Sequence, residues 1–171
     1  MSDKVRTDYL GSVFDPSRFG HTVKRALVLA RKALEKEEFD SIAFTGNSGA
    51  ALAYILASEL GVALICIRKE TDNSHYSQGG QRLEGYTAAK RYLFVDDFIC
   101  SGRTYENVVE YLQTHLPDAK CVGALMYGRT GMSSKNRGLP LYSAPAEEDG
   151  SQVSFKSYLY RRSTGSDDSE W

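Results

Sequence analysis

Apolar positions along the chain fall into two alternating patterns. From Val23, the residues Val23, Leu27, Ala30 and Leu34 recur at helical spacing, with Lys24, Arg31, Lys32, Glu35 and Lys36 on the other side, which predicts an amphipathic helix. "SIAFT", residues 41 to 45, is a short apolar run of strand length, followed by the turn-forming residues Gly46, Asn47, Ser48 and Gly49. "AALAYILASELG" is apolar nearly all round and stops at a glycine, as a buried helix does. "VALICIR" and "RYLFV" predict a second and a third strand. "YENVVEYLQTHL" then places Tyr105, Val108, Leu112 and Leu116 on one helical stripe before Pro117, and "CVGALMYG" predicts a fourth strand. Strands alternating with helices imply right-handed crossovers, so the expected fold class is α/β, a mainly parallel sheet flanked by helices.

Two segments stand outside this alternation. Residues 68 to 90 are polar, contain Gly79, Gly80 and Gly85, and are long for a connection between neighbouring strands, which reads as a lid or a disordered segment. Beyond Tyr127 the expectation is a peripheral subdomain with one or two short strands, followed by a polar tail. The expected organisation is a single domain over residues 1 to 160, with a core from about 20 to 127, and a polar tail from 161 to 171.

Composition narrows the function classes. The 171 residues, 42% apolar and 25% charged, suffice for one domain with a real core. A net charge of −1 lacks the basic footprint of a nucleic-acid binder, and Arg161 and Arg162 form only a pair beside an acidic "DDSE". Three cysteines, Cys66, Cys100 and Cys121, show no metal-ligand spacing and suggest reduced thiols and a cytoplasmic location. No apolar run approaches a membrane span and no signal core opens the chain, so no membrane partner is expected. Neither GxxxxGK[ST] nor GxGxxG occurs, which leaves triphosphate hydrolysis and dinucleotide binding unsupported.

The chemistry concentrates in "RYLFVDDFICSGRTY", residues 91 to 105. Adjacent carboxylates do not suit the middle of a buried strand, so Asp96 and Asp97 are expected where the strand ends and solvent or a ligand begins. Ligands of open parallel sheets bind there. Gly102 permits close backbone approach, Ser101 and Thr104 offer hydroxyls, and the next helix aims its free N–H groups at the same place, an arrangement suited to a monophosphate. A plain helix N-cap is the other reading of this loop, and a strand-end pair capping the next turn is the other reading of the acids. A receiver domain would carry its acids at the first strand, and a dehalogenase-type phosphatase would carry Asp-x-Asp.

"YLFVDDFICSGRT", thirteen consecutive positions, resembles the phosphoribosyl-pyrophosphate (PRPP) signature of the type I phosphoribosyltransferases. "TGNSGA" is similar to that family's pyrophosphate loop, and the long segment opening with "RK" and closing with "LEG" is similar to its lid. The resemblance implies transfer of the 5-phosphoribosyl group from PRPP to a nitrogen of a nucleobase, orotate or a purine, with release of pyrophosphate. Asp96 and Asp97 would act as the catalytic pair on the ribose hydroxyls. Cys100, Ser101, Gly102, Arg103 and Thr104 would bind the 5-phosphate, and Gly46, Asn47, Ser48, Gly49, Arg68 and Lys69 the pyrophosphate, with one peptide of that loop often cis. His75, Tyr76 and Arg82 would be lid groups.

Magnesium is the implied cofactor, held through substrate oxygens and water rather than by a protein site. PRPP, a nucleobase and a second copy of the chain are the expected partners. The resemblance also implies a hood over the base formed by 1 to 19 and 128 to 160, where Tyr9, Phe14, Phe19, Leu139, Tyr142 and Tyr158 offer rings and apolar surface for a base, or else a small hydrophobic cover. The lid departs from the orotate enzymes' Lys-x-x-Lys-x-His pattern: Asp72 takes the second lysine's place and His75 falls one residue late. That departure keeps open a non-catalytic PRPP- or nucleotide-binding regulator on the same fold. A module without any ligand would leave the acid pair and the glycine-rich loop as accidents.

Overall fold

The computed structural model describes residues 10–69, 82–97, 102–128 and 140–143. In chain order these form α1 (Gly11–Phe14), α2 (Pro16–Lys36), β1 (Ser41–Thr45), α3 (Gly46–Leu60), β2 (Ala63–Ile67), β3 (Leu83–Gly85), β4 (Arg91–Asp96), α4 (Arg103–His115), β5 (Lys120–Met126) and β6 (Leu141–Ser143). The six strands make one sheet in the order β3-β2-β1-β4-β5-β6. All neighbours pair in parallel except β3, which runs antiparallel to β2 at the edge. The mainly parallel α/β sheet expected from the alternating pattern is therefore present.

Side-chain alternation along the strands divides the interior into two cores. Ile42, Phe44, Leu93, Val95, Val122 and Leu125 face α2 and α3. Ala43, Tyr92, Phe94, Ala124 and Met126 face α4, whose Tyr105, Val108 and Leu112 complete that layer. With both faces covered, β1 is buried along its whole length. The stripe predicted for α4 is thus the face it buries, with Leu116 partly buried just beyond the helix.

Three local readings change. Helix α2 begins at Pro16, well before Val23, because Asp15 caps it: its Oδ1 accepts from the Ser17 N–H at 3.0 Å and the Ser17 hydroxyl at 2.6 Å, and Pro16 fits the first turn. The residues α2 buries are Thr22, Ala26, Ala30 and Ala33, while Val23, Leu27 and Leu34 pack along the flank of the same core. Small side chains on the inner line let the helix lie close to its neighbours. The Gly-Asn-Ser-Gly stretch is the first turn of α3 rather than a separate loop, since Gly46 (φ +61) carries the chain from β1 straight into the helix. All described peptide bonds are trans. "LEG", read as the close of the lid, is the edge strand β3, and β6 supplies the short strand expected after Tyr127.

The parallel topology brings Thr45, Ile67, Asp96 and Met126, the last residues of β1, β2, β4 and β5, to one edge of the sheet. No described helix is long and apolar enough to cross a membrane. Phe14 is exposed, Phe19 packs on the α2–α3 core and Tyr142 lies inside it; Tyr9, Leu139 and Tyr158 lie outside the described residues.

Candidate active site

Asp96 closes β4 and Asp97 follows it, so the pair stands at the carboxyl edge as anticipated. Its environment differs from the expectation: each residue is only 6% exposed. Their burial comes from three neighbouring elements. Beyond β5, the Tyr127 N–H donates to the Asp96 carbonyl at 3.2 Å and the Gly128 N–H to the Asp97 carbonyl at 2.6 Å, continuing the parallel ladder past the acids. From α3, the Ser48 hydroxyl donates to Asp96 Oδ1 at 2.7 Å, and the Asp97 N–H donates to the same oxygen at 2.9 Å. The third element is the residue pair after β2, from which Lys69 reaches across Gly46. A Cβ built on Gly46 would stand 3.1 Å from Lys69 Cε and 3.5 Å from its Nζ.

These three charged residues form one electrostatic unit. Burial pushes the Asp96 carboxyl above the usual carboxylate range, against the pull of the Ser48 hydroxyl, the Asp97 amide and side chain, and the Lys69 charge. Burial likewise lowers Lys69, while the charges of Asp96 and Asp97 act to raise it. The attraction between Lys69 and the acids offsets only part of the desolvation, since burial prevails at both Asp96 and Lys69.

The remaining candidates divide by position. At the start of α3, the N-cap Thr45 makes no side-chain cap because its hydroxyl donates to the Ile67 carbonyl at 2.6 Å. Asn47 is exposed, Ser48 is committed to Asp96, and Gly49 is buried where a Cβ would meet both Phe44 Cβ and the Val95 carbonyl at 2.9 Å. Gly102, buried and left-handed at φ +79, is the N-cap of α4 and has no side chain to cap it, and Arg103 and Thr104 open that helix exposed. Cys100 and Ser101 lie outside the described residues, as do His75 and Tyr76.

Arg68 and Arg82 are brought together, but on the edge strand. The Arg68 guanidinium contacts Glu84 Oε1 through Nε and a terminal nitrogen, each at 2.8 Å. The Arg68 N–H donates to the Arg82 carbonyl at 2.7 Å, and Arg82 Nε returns a bond to the Arg68 carbonyl at 2.8 Å. The Arg82 guanidinium lies 4.9 Å from the centroid of the Tyr111 ring, whose hydroxyl accepts from the Arg82 N–H at 3.1 Å.

Two residues at the site escaped the reading of the sequence. Tyr127 passed for the end of an apolar strand, and Arg25 carried no signal among the charges of α2. The structure joins them: Arg25 donates to the Tyr127 carbonyl at 3.0 Å, and the Tyr127 hydroxyl donates to the Ser48 carbonyl at 2.6 Å.

Residues 23–134 match the family model for the phosphoribosyl transferase domain, well over half of the chain. The chain belongs to that family. Every segment of the site lies within the matched span, from Arg25 through α3, Lys69 and the acid pair to Tyr127. No curated protein matches the sequence significantly.

Solved phosphoribosyltransferases share the fold at low sequence identity. The orotate phosphoribosyltransferase from Aeropyrum pernix matches at 18% identity and a TM-score of 0.60, over 94% of this chain and 84% of its own. The Saccharomyces cerevisiae adenine phosphoribosyltransferase, solved with an imino-altritol bisphosphate and adenine, matches at 19% identity and 0.58, over 80% and 83% of the two chains. The Helicobacter pylori xanthine-guanine-hypoxanthine phosphoribosyltransferase matches at 19% identity and 0.53, over 78% and 86%.

Proposed function

We propose that this family member transfers the 5-phosphoribosyl group of PRPP to a ring nitrogen of a nucleobase, orotate or a purine, and releases pyrophosphate. The observation that carries the reading is the pair of buried, adjacent carboxylates at the end of β4 with a cation beside them. Transfer at the ribose carbon passes through a state with positive charge on the sugar. Asp96 and Asp97 would hold the ribose 2- and 3-hydroxyls and oppose that charge from a site where burial strengthens the interaction. Fixing Asp96 through Ser48 and the Asp97 amide prepays the orientation such stabilisation requires.

The N-terminus of α4, with Gly102, Arg103 and Thr104, and with Cys100 and Ser101 before it, would take the 5-phosphate. Gly46, Asn47 and Ser48 at the uncapped start of α3, with Lys69, would take the pyrophosphate; Ser48 contributes there through its backbone. Gly49 supports the same turn by close packing. His75, Tyr76 and Arg82 stay assigned to the lid, and Arg68 to the leaving group only on release from Glu84.

Magnesium suits the donor set. The adjacent carboxylates of Asp96 and Asp97 are hard oxygen donors of the kind magnesium takes, beside PRPP oxygens and water. When bound it would neutralise the leaving pyrophosphate.

The pairing of Arg68 with Glu84 and of Arg82 with Tyr111 favours a second reading, a PRPP- or nucleotide-binding regulator whose flanking arginines hold the edge strand. One experiment separates the two. The protein is incubated with PRPP and magnesium against adenine, guanine, hypoxanthine, xanthine, orotate and uracil in turn, with pyrophosphate release as the signal and thermal melting as the binding readout. A single productive base supports the transferase and names its acceptor. A melting shift with PRPP but no release supports the regulator, and no shift with PRPP, ribose 5-phosphate or pyrophosphate overturns the site.

A further inference from the structure

The acid pair and the first turn of α3 come from different elements, and something must set their separation. Ser48 is the direct link, since its hydroxyl holds Asp96 Oδ1. What holds Ser48 is Tyr127. Its hydroxyl donates to the Ser48 carbonyl, its N–H donates to the Asp96 carbonyl, and its own carbonyl accepts from Arg25. One residue, 1% exposed, is therefore tied to both partners of the Ser48–Asp96 bond and to α2.

A phenylalanine would fill the same place in the core. The extra oxygen is useful only because it finds a buried partner, and the partner it finds is the residue that orients Asp96. The charged groups acting on Asp96 include Asp97 and Lys69. We infer that Tyr127 is a positioning residue: through its hydroxyl on the Ser48 carbonyl it fixes the α3 turn against β4, so that the Ser48 hydroxyl keeps Asp96 in the orientation that receives the ribose. Arg25 braces Tyr127 from behind.

The functional half of this inference rests on the phosphoribosyl reading, and the structural half does not, so its test has two arms. The first measures magnesium–PRPP affinity of the wild type, Tyr127→Phe, Ser48→Ala and the double variant, well below their melting temperatures. Tyr127→Phe is expected to weaken affinity about tenfold, Ser48→Ala by about the same factor, and the double variant no further, because both act through one bond. Wild-type affinity in Tyr127→Phe, or losses that multiply in the double variant, would overturn the inference; a merely structural tyrosine gives the former.

The second arm needs no ligand. In a crystal structure of unliganded Tyr127→Phe, the Ser48 hydroxyl is expected to have left Asp96, and a preserved Ser48–Asp96 bond would refute the inference. If wild-type protein binds no PRPP, the phosphoribosyl reading fails while this arm still decides. If Tyr127→Phe does not fold, Arg25→Met keeps the ring and removes only the brace. A several-fold loss of affinity that Ser48→Ala does not deepen supports the inference, and an unchanged affinity rejects it.

Discussion

Replacing Gly49 by alanine tests whether the start of α3 is built by packing. The added Cβ would sit 2.9 Å from Phe44 Cβ and 2.9 Å from the Val95 carbonyl oxygen, both belonging to the buried strands β1 and β4. Neither neighbour is the free end of a flexible side chain, so α3 must retreat by roughly half an ångström, an overpacking that costs about 1 to 3 kcal/mol. Alanine's helix propensity returns up to about 1 kcal/mol. The expected net loss is about 1 to 2 kcal/mol, or roughly 2 to 8 °C in Tm for a domain of this size.

Urea unfolding should show a lower midpoint at unchanged slope. Gly20 supplies the matched control: it lies exposed within α2 with nothing inside 4 Å of its Cβ position, so Gly20→Ala should stabilise by about 0.5 to 1 kcal/mol. If Gly49→Ala gained stability as Gly20→Ala does, the close approach of α3 to the strand ends would be refuted.

Asp96→Asn should flatten the pH dependence of stability. Burial raises the folded-state pKa of this carboxyl above its unfolded value, so its penalty is absent at low pH and grows as pH rises from the unfolded pKa through the folded one. Urea titrations from pH 4 to 7 should therefore show a steeper fall for the wild type than for the variant, and equal slopes would count against a buried Asp96. Lys69→Met should weaken magnesium–PRPP binding more than Arg68→Met, because Lys69 lies beside the acids while Arg68 is paired with Glu84; calorimetry giving the opposite order would reverse the two assignments. Asp15→Ala should cost about 1 kcal/mol in chemical denaturation through loss of the α2 cap.

The acid pair was legible because two carboxylates abruptly end an apolar run, and only a strand terminus accommodates that pattern. Its burial was not legible. It depends on Ser48, Tyr127 and Gly128, which lie between 30 and 50 residues away in sequence and meet the acids only when the parallel sheet aligns its carboxyl ends. The start of α2 was written in the Asp15-Pro16 pair, but Gly20 and His21 interrupt the apolar period and hide it. Gly-Asn-Ser-Gly matches turn chemistry residue by residue, and only the backbone at Gly46 shows the chain entering the helix at once. In α2 the larger apolar residues drew the predicted stripe, whereas close packing gives the inner line to alanines.

The dipeptide Arg68-Lys69 shows how one strand end can serve two purposes. Successive residues leaving an extended strand project to opposite sides. Arg68 accordingly goes to the edge and meets Glu84 of β3, while Lys69 crosses Gly46 toward Asp96 and Asp97. Through its reciprocal bonds with Arg82, Arg68 also ties together the two ends of the segment between residues 69 and 82. Arg68 and Arg82 therefore meet at the sheet edge, and the next residue on the chain after Arg68 is Lys69, the cation facing the acids.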